Sequence, residues 1–450
     1  MNSKKFIKQL DFKTLLSIAL PISIQSLIQS SLGMIDQIMI GQLGENAVAS
    51  VNLGTRLMFI MVYSLSGISA VASIYTSQYE GAGTKEKHSS VMKITIIEGL
   101  ICVLPFLIAG LFFPSTVVKL FSNDVNVVGS GANYLFITAF GFIPKLFSIS
   151  ISAILRCTGK AKITLITGFV SVISNTLLNL VFIFGFGPIK AYGVEGAAIA
   201  TVIAIFIEAT VNIIYLEKTK HPSRLSLAVK AKLEKQFYKK FTITTLPAIG
   251  NECFWALGDA IYSAIYGHMS TISLAAITLT FPLQGMSVGF FSGLAAAAGV
   301  IIGNNLGAKK TKEAYTLAWD FFKLCVTGCL ILGLIIVLFG SVYLNFYNVT
   351  EEVKTCTKSL LVIFACYLWV KVSNMVMLGG VLRSGGKTRY TLILDLIGTW
   401  GIGIPLGLIS AFVFKWDILL VYTAICFEEI IRLFLGLMKV KSKDWISIIE

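Results

Sequence analysis

Long apolar runs recur along the chain, each about as long as a helix that crosses a membrane. Spanning about 30 Å of hydrocarbon takes about 20 helical residues. Twelve segments meet that length: 14–40, 47–78, 92–113, 127–150, 163–185, 193–216, 241–266, 272–303, 315–346, 356–379, 390–413 and 417–438. Several exceed the minimum, which predicts tilted or bent helices. Pro21, Pro144, Pro247, Pro282 and Pro405 fall in or near these runs. A bend is tolerated there if neighbours satisfy the freed carbonyls. The longest polar interruption, from Glu217 to about Lys240, reads as an amphipathic linker on the cytoplasmic face. It divides the chain into a six-span half (1–216), a linker (217–240) and a second six-span half (241–450).

The halves repeat. A shift of 226 residues lays Leu20-Pro21 on Leu246-Pro247, Gly41 on Gly267, Ala49 on Ala275, Leu53 on Leu279 and Gly81-Ala82 on Gly307-Ala308. With one extra residue, "LRCTGKAK" at Leu155 answers "LRSGGKTR" at Leu382. Six spans is an even number, so both halves insert with the same orientation. Parallel repeats of this kind predict two lobes related by an axis along the membrane normal, with a substrate cavity between them. The expected fold is an all-α polytopic membrane protein of twelve transmembrane helices in two parallel-repeat six-helix lobes.

Composition agrees. Of 450 residues, 56% are hydrophobic and only 13% charged, with mean hydropathy +0.82. A soluble domain carries about 25% charged residues. A soluble enzyme, a nucleic-acid-binding module and a disordered scaffold are thereby excluded. The net charge of +14 is explained by location. Most of the 37 basic residues cluster in Lys4–Lys13, Lys85–Lys93, Arg156–Lys162, Lys218–Lys240, Lys309–Lys312, Arg383–Arg389 and Lys439–Lys443. These segments alternate with loops holding only Lys119, Lys190, Lys354, Lys358 and Lys415. Such alternation places both termini in the cytoplasm and the basic loops against anionic lipid headgroups. The eight cysteines form no CxxC pair. Cys325 and Cys329 stand one helical turn apart without further metal ligands, so they read as inert buried thiols.

At the first span the pattern becomes recognisable. "LPISIQSLIQSSLGMIDQIMIGQLGENAVASVNL" resembles the opening of the MATE family, the multidrug and toxic compound extrusion transporters. "LRCTGKAK", "NTLLNLVFIFGFG…YGVEGAAIAT" and "LRSGGKTRY" follow in that family's order. The resemblance covers nearly the whole chain. It implies a monomeric plasma-membrane protein that needs no cofactor and exports small organic, often cationic, compounds against inward H⁺ or Na⁺ flow.

An ionisable group at a helix centre costs about 2.5–3.5 kcal/mol on insertion scales, so carboxylates within spans are candidates for function. Asp36 lies in the first span, with Gln29 two turns earlier on the same face. Asn175 and Asn179 stand at i and i+4 in the fifth span, and Thr201 follows in the sixth. One carboxylate among neutral oxygens and amides suits a hard cation or a shared proton. The resemblance implies that Asp36, Gln29, Asn175, Asn179 and Thr201 form a coupling site in the N-terminal lobe. Many relatives carry a second carboxylate where Asn179 stands, so H⁺ and Na⁺ both remain open. The competing reading of the Asn pair is ordinary hydrogen bonding between helices.

The seventh span carries Glu252 and Asp259, with Trp255, Tyr262 and Tyr266 close to the same stripe. A carboxylate flanked by aromatic faces suits an organic cation through charge pairing and cation–π attraction. Glu252, Trp255, Asp259 and Tyr262 are therefore candidates for a substrate or second coupling site. The structural alternative is an ion pair of Glu252, with Lys371 as its partner. Arg156 and Arg383 are read as anchors of the cytoplasmic helix ends, Asp395 as a closing residue of the C-terminal lobe. Glu98, Lys145, Glu208, Lys323, Glu428, Glu429 and Arg432 are read as mutual partners or as snorkelling charges.

The rival within transport is a flippase for a lipid-linked oligosaccharide, which would favour a strongly basic cavity and extra spans. A membrane enzyme would need a constellation such as HExxH, and none occurs. Basic loops resist translocation, so a reporter fused after Lys443 is expected on the cytoplasmic face; external reporter activity would overturn the topology.

Overall fold

The computed structural model describes residues 11–121, 124–345, 347 and 349–449. Among them no strand forms, and Phe186 and Ile189 make one isolated antiparallel bridge. In order, the helices are α1 (Phe12–Gly41), α2 (Glu45–Ala82), α3 (Lys87–Phe112), α4 (Pro114–Lys119), α5 (Val125–Ala139), α6 (Phe142–Cys157), α7 (Ala161–Phe184), α8 (Gly193–Lys218), α9 (Leu225–Lys230), α10 (Lys235–Met269), α11 (Thr271–Gly307), α12 (Thr311–Leu344), α13 (Glu351–Asn374), α14 (Thr388–Asp395), α15 (Ile404–Leu408) and α16 (Ile418–Ser442). Three π-helical stretches, Met375–Leu382, Leu396–Gly403 and Ile409–Val413, extend α13, join α14 to α15 and follow α15.

The twelve-span expectation holds. Nine helical segments among the described residues are long and apolar enough to cross a membrane alone, and α5 with α6, bent by 53°, makes a tenth. The remaining two are α10 and α16, whose hydropathy is interrupted by Asn251, Glu252 and Asp259, and by Glu428, Glu429 and Arg432. The least apolar spans are thus the ones that carry charge inward. Helix starts are capped where the sequence supplies a short polar side chain. Asp417 accepts from the Leu420 amide at 2.9 Å and Ser270 from that of Ser273 at 3.0 Å. Gly83 ends α2 at φ 75°, a conformation a Cβ would strain.

The chain packs as two compact units, Ile24–Ile249 and Met1–Ser23 with Gly250–Glu450. These edges differ from those expected at 216 and 241. The 217–240 segment packs within the first unit, for local reasons. Helix α9 lies against α3 and α8. Lys93 Nζ donates to the carbonyls of Val229 (3.0 Å) and Ala231 (2.7 Å). His221 Nε2 lies 3.1 Å from Thr158 Oγ1, and its Nδ1 accepts from the Ser223 amide at 3.2 Å. Burial, with Lys160 and Lys85 nearby, pushes the His221 imidazole down to about 4, so it docks uncharged. At the other edge, Ser23 Oγ donates to the Phe290 carbonyl at 2.5 Å and Gly293 lies against Ala19 and Ser23. Both unit edges fall two residues after a repeat proline, Pro21 and Pro247, at positions related by the 226-residue shift.

In lipid, packing and polar contacts hold helices together, since there is no water to escape. The first unit is built accordingly: Met61, Leu65, Ile68, Leu135, Phe142 and Leu146 form a close-packed cluster, with Gly99 beneath Leu146. In the second unit the tail after α16 returns to the fold. Trp445 is fully buried, its indole N–H donates to the Val440 carbonyl at 3.0 Å, and the Trp445 backbone fills the space a Cβ at Gly385 would need. Truncating a buried Trp costs about 3–5 kcal/mol. Trp445→Ala is therefore expected to lower the unfolding midpoint of the detergent-solubilised protein, measured by intrinsic fluorescence; an unchanged midpoint would remove the tail from the folded core.

Candidate functional site

The first cluster lies within the unit Ile24–Ile249. Asp36 of α1 is half-buried, and Asn175 and Asn179 project from one face of α7. Asn179 Nδ2 donates to Asp36 Oδ1 at 2.7 Å and to Asn175 Oδ1 at 3.1 Å. Asn175 Nδ2 donates to Thr201 Oγ1 of α8 at 3.4 Å, and Thr201 donates to the Ala197 carbonyl at 2.9 Å. Four of the five expected residues are thus joined in one chain of hydrogen bonds. Gln29 is not: it is exposed on α1, because the i, i+7 spacing shares a face but not a depth. Tyr134 of α5 completes the cluster, buried beside Thr201 and Asp36. No periodic signal marked this tyrosine, which arrives from a helix 98 residues beyond Asp36 in the chain.

The cluster has one loose end. Asn179 is 1% exposed, yet its Oδ1 has no hydrogen-bond partner. A buried acceptor without a donor is uncommon, and here it stands beside a carboxylate. Among the described residues no three His, Cys, Asp or Glu side chains converge to hold a metal. The cluster instead offers a cation one carboxylate with amide and hydroxyl oxygens.

The second cluster lies within the other unit, where two adjoining cavities share Trp255, Lys371, Glu429 and Arg432. The first, of about 90 Å³, is lined also by Asp259, Tyr262, Tyr266, Phe281, Tyr367 and Glu428. The second, of about 320 Å³, is lined also by Asn251, Glu252, Asn374, Arg383 and Asp395. A relay of charge-assisted contacts runs through its wall. Arg383 Nη1 meets Glu252 Oε1 at 2.9 Å, while Arg383 Nη2 donates to Asn251 Oδ1. Asn251 Nδ2 donates to Asp395, whose other oxygen meets Arg432 at 2.5 Å. Arg432 also meets Glu429 at 2.6 Å, and Asn374 donates to Glu429 at 2.7 Å.

This relay corrects two expectations. Glu252 pairs with Arg383, not Lys371, and Arg383 points into the bundle instead of anchoring its end. Trp255, Asp259 and Tyr262 do line one cavity together, whereas Glu252 belongs to the neighbouring one. Arg432 and Glu429 are mutual partners as expected, as are Lys145 and Glu208 at 3.8 Å. The π-helical stretch Leu396–Gly403 was not legible beforehand. It sets Gly398 against the Arg432 side chain and Gly403 against Tyr262 and Glu428, and such widened turns recur at functional sites.

Comparison with known proteins agrees with this architecture. The family profile described as MatE matches residues 21–181 and 247–409, two stretches that each begin at a repeat proline. The probable multidrug resistance protein YoeA of Bacillus subtilis (strain 168) is 23% identical over 405 residues, covering 89% of this chain and 87% of that protein. The probable multidrug resistance protein NorM of Pasteurella multocida (strain Pm70) is 24% identical over 412 residues, covering 89% and 86%. Among solved structures, a MATE in complex with MaL6 superposes with TM-score 0.88 at 18% identity, covering 98% of this chain and 99% of that one. An outward-facing multidrug resistance MATE family transporter of the MOP superfamily gives TM-score 0.86 at 18% identity, covering 96% of each. At such identities the structural likeness establishes the fold.

The Glu252–Arg383 pair is half-buried, and removing one partner leaves the other charge stranded inside the bundle. Glu252→Gln is accordingly expected to lower the unfolding midpoint in detergent, and the double variant Glu252→Gln/Arg383→Gln to recover most of the loss. Additive losses in that double-mutant cycle would show that the pair is not formed.

Proposed function

The chain belongs to the MatE family of membrane transporters, and from that premise we propose that it is a secondary active antiporter exporting small organic compounds in exchange for H⁺ or Na⁺ by alternating access. The observation that carries the reading is the unpartnered Asn179 Oδ1 beside Asp36. A proton or a Na⁺ taken up at Asp36 neutralises a carboxylate whose contact in the cluster is the Asn179 amide. Either event changes the charge of the cluster, which is what coupling to an ion gradient requires. Relatives bearing the name of multidrug resistance proteins support export of chemically varied compounds.

The substrates are cationic or amphipathic. Asp259 and Glu428 face a cavity walled by Trp255, Tyr262 and Tyr367, a setting that favours an organic cation. Glu252, already paired with Arg383, holds the wall in place. Around the first cavity Asp259, Glu428 and Glu429 outnumber Lys371 and Arg432; around the second, three acids meet three bases. That balance disfavours a pyrophosphate-linked oligosaccharide as cargo. The protein works in the plasma membrane as a monomer of two six-span lobes, with both termini and the 217–240 linker cytoplasmic.

Asp36→Asn keeps the shape of the side chain and removes its charge and its titration. It is expected to insert at normal levels, retain substrate binding and lose coupling. One charge crossing the full field supplies about 2.3 kcal/mol per 100 mV, so its loss lowers the attainable substrate gradient by up to about fifty-fold. Efflux of a fluorescent organic cation from proteoliposomes, with Na⁺ and pH gradients imposed separately, measures this. Pumping at the wild-type rate would remove Asp36 from the coupling role.

A further inference from the structure

Within the unit Ile24–Ile249, hydroxyls in the spans commonly turn back onto their own helix. Ser66, Thr95 and Thr138 each donate to the carbonyl four residues earlier. On α6, Ser148, Ser150 and Ser152 depart from this: they are 1%, 1% and 5% exposed, and no Oγ among them has a hydrogen-bond partner; Ser148 and Ser152 share a face. On α8, Asn212 is fully buried, and neither its Nδ2 nor its Oδ1 has a partner.

Helix register brings these side chains to one seam. Gly141, which caps the start of α6, lies against Ile205 and Val202 of α8, and one turn further along both helices Lys145 Nζ stands 3.8 Å from Glu208 Oε2. The two helices therefore run parallel in a fixed register. Continuing that register sets Ser148 and Ser152 at, and one turn beyond, the level of Asn212. On α8 the stripe reads Thr201, Glu208, Asn212 at i, i+7 and i+11; on α6 it reads Lys145, Ser148, Ser152 at i, i+3 and i+7. Thr201, at the head of the α8 stripe, closes the Asp36 cluster. Four buried polar atoms without partners, on short side chains across a helix seam, match the setting in which proteins hold internal water.

We propose that the α6–α8 seam holds a file of buried waters that gives the Lys145–Glu208 pair proton access to the basic end of the unit, making Glu208 a second proton-exchange station of the antiporter. The proposal rests on the H⁺-antiport reading above. In each transfer an O–H bond breaks at one oxygen and forms at the next, with no other covalent change. The file leads toward the ends of α6 and α8 marked by Arg156 and Lys218.

Hydroxyl-radical labelling by synchrotron radiolysis oxidises side chains that touch bound water. In full-length Ser148→Cys protein, the new thiol is expected to oxidise several times faster than Cys157, which is buried in the same unit. Glu208→Gln is expected to slow pH-driven efflux by about a hundredfold, the scale of a lost positioned proton carrier, with the Kd for a fluorescent organic cation unchanged. Should Glu208→Gln fail to reach the membrane, Ser148→Ala/Ser152→Ala serves the same arm. A thiol no more oxidised than Cys157, or wild-type efflux from the variants, overturns the proposal. Asp36→Asn distinguishes the two failures: if it too pumps normally, the coupling reading falls and the station with it; if it alone is uncoupled, only the seam falls.

Discussion

A charge carried into hydrocarbon must find its counter-charge inside the protein, and the arrangement of the span charges follows from that requirement. Glu252 is met by Arg383, Asp395 and Glu429 by Arg432, Glu208 by Lys145. Apart from Glu429 with Arg432, neighbours on α16, each partnership joins two helices and fixes their depth, because a mismatch of one turn separates the groups by 5.4 Å. The surrounding backbone yields to the charges. At Gly398 and Gly403 the helix widens to a π-helical stretch and the side chains of Arg432 and Tyr262 pass close to its backbone. Glu98 and Asp36 stand apart. Glu98 meets the Thr242 hydroxyl, and the contact of Asp36 in its cluster is an amide, which satisfies a hydrogen bond without neutralising a charge.

The two halves share a scaffold and differ in chemistry at matching positions. The 226-residue shift that aligns Pro21 with Pro247 lays Gln29 on Trp255 and Asp36 on Tyr262. In one half the position holds a carboxylate within an amide cluster; in the other it holds a phenol at the wall of a cavity. A duplicated helix thus presents an ionisable group in one unit and an aromatic surface in the other. That division suits a transporter in which one half handles the ion and the other the organic compound.

The fold was legible because membrane thickness imposes a length on every span, and because the apolar runs at 241–266 and 417–438 mark α10 and α16 even though charges interrupt them. The Asp36 cluster was legible where the contacts follow helix periodicity, as for Asn175 and Asn179. Tyr134 was not, since a lone tyrosine in an apolar run carries no pattern. The Glu252–Arg383 contact joins residues 131 apart, and its register depends on how α10 meets the π-helical extension of α13. Periodicity shows which face a residue occupies, but depth along the bundle comes from packing, which is why Gln29 was placed with Asp36 and Glu252 with Lys371. The compact units divide the chain elsewhere than the polar linker for a related reason. The linker is polar along its length, yet Lys93, Thr158 and His221 tie it to the first unit.

If ion and substrate are handled in different units, the coupling between them needs a mechanical element with two arrangements. Helices α1 and α10 meet the first condition, since each contributes residues to both units. Each contains a proline inside the helix, Pro21 and Pro247, two residues before the unit edge. A proline removes the hydrogen bond to the carbonyl four residues earlier and crowds that carbonyl, so a helix bends there at lower cost than elsewhere. Asp36 lies on the same helix as Pro21, and Glu252 and Asp259 lie on the same helix as Pro247. On the proposed reading, a change of charge at Asp36 would act on a helix that bends most readily at Pro21. The repeat supplies a second such helix, α10, which carries Trp255, Asp259 and Tyr262 of the cavity.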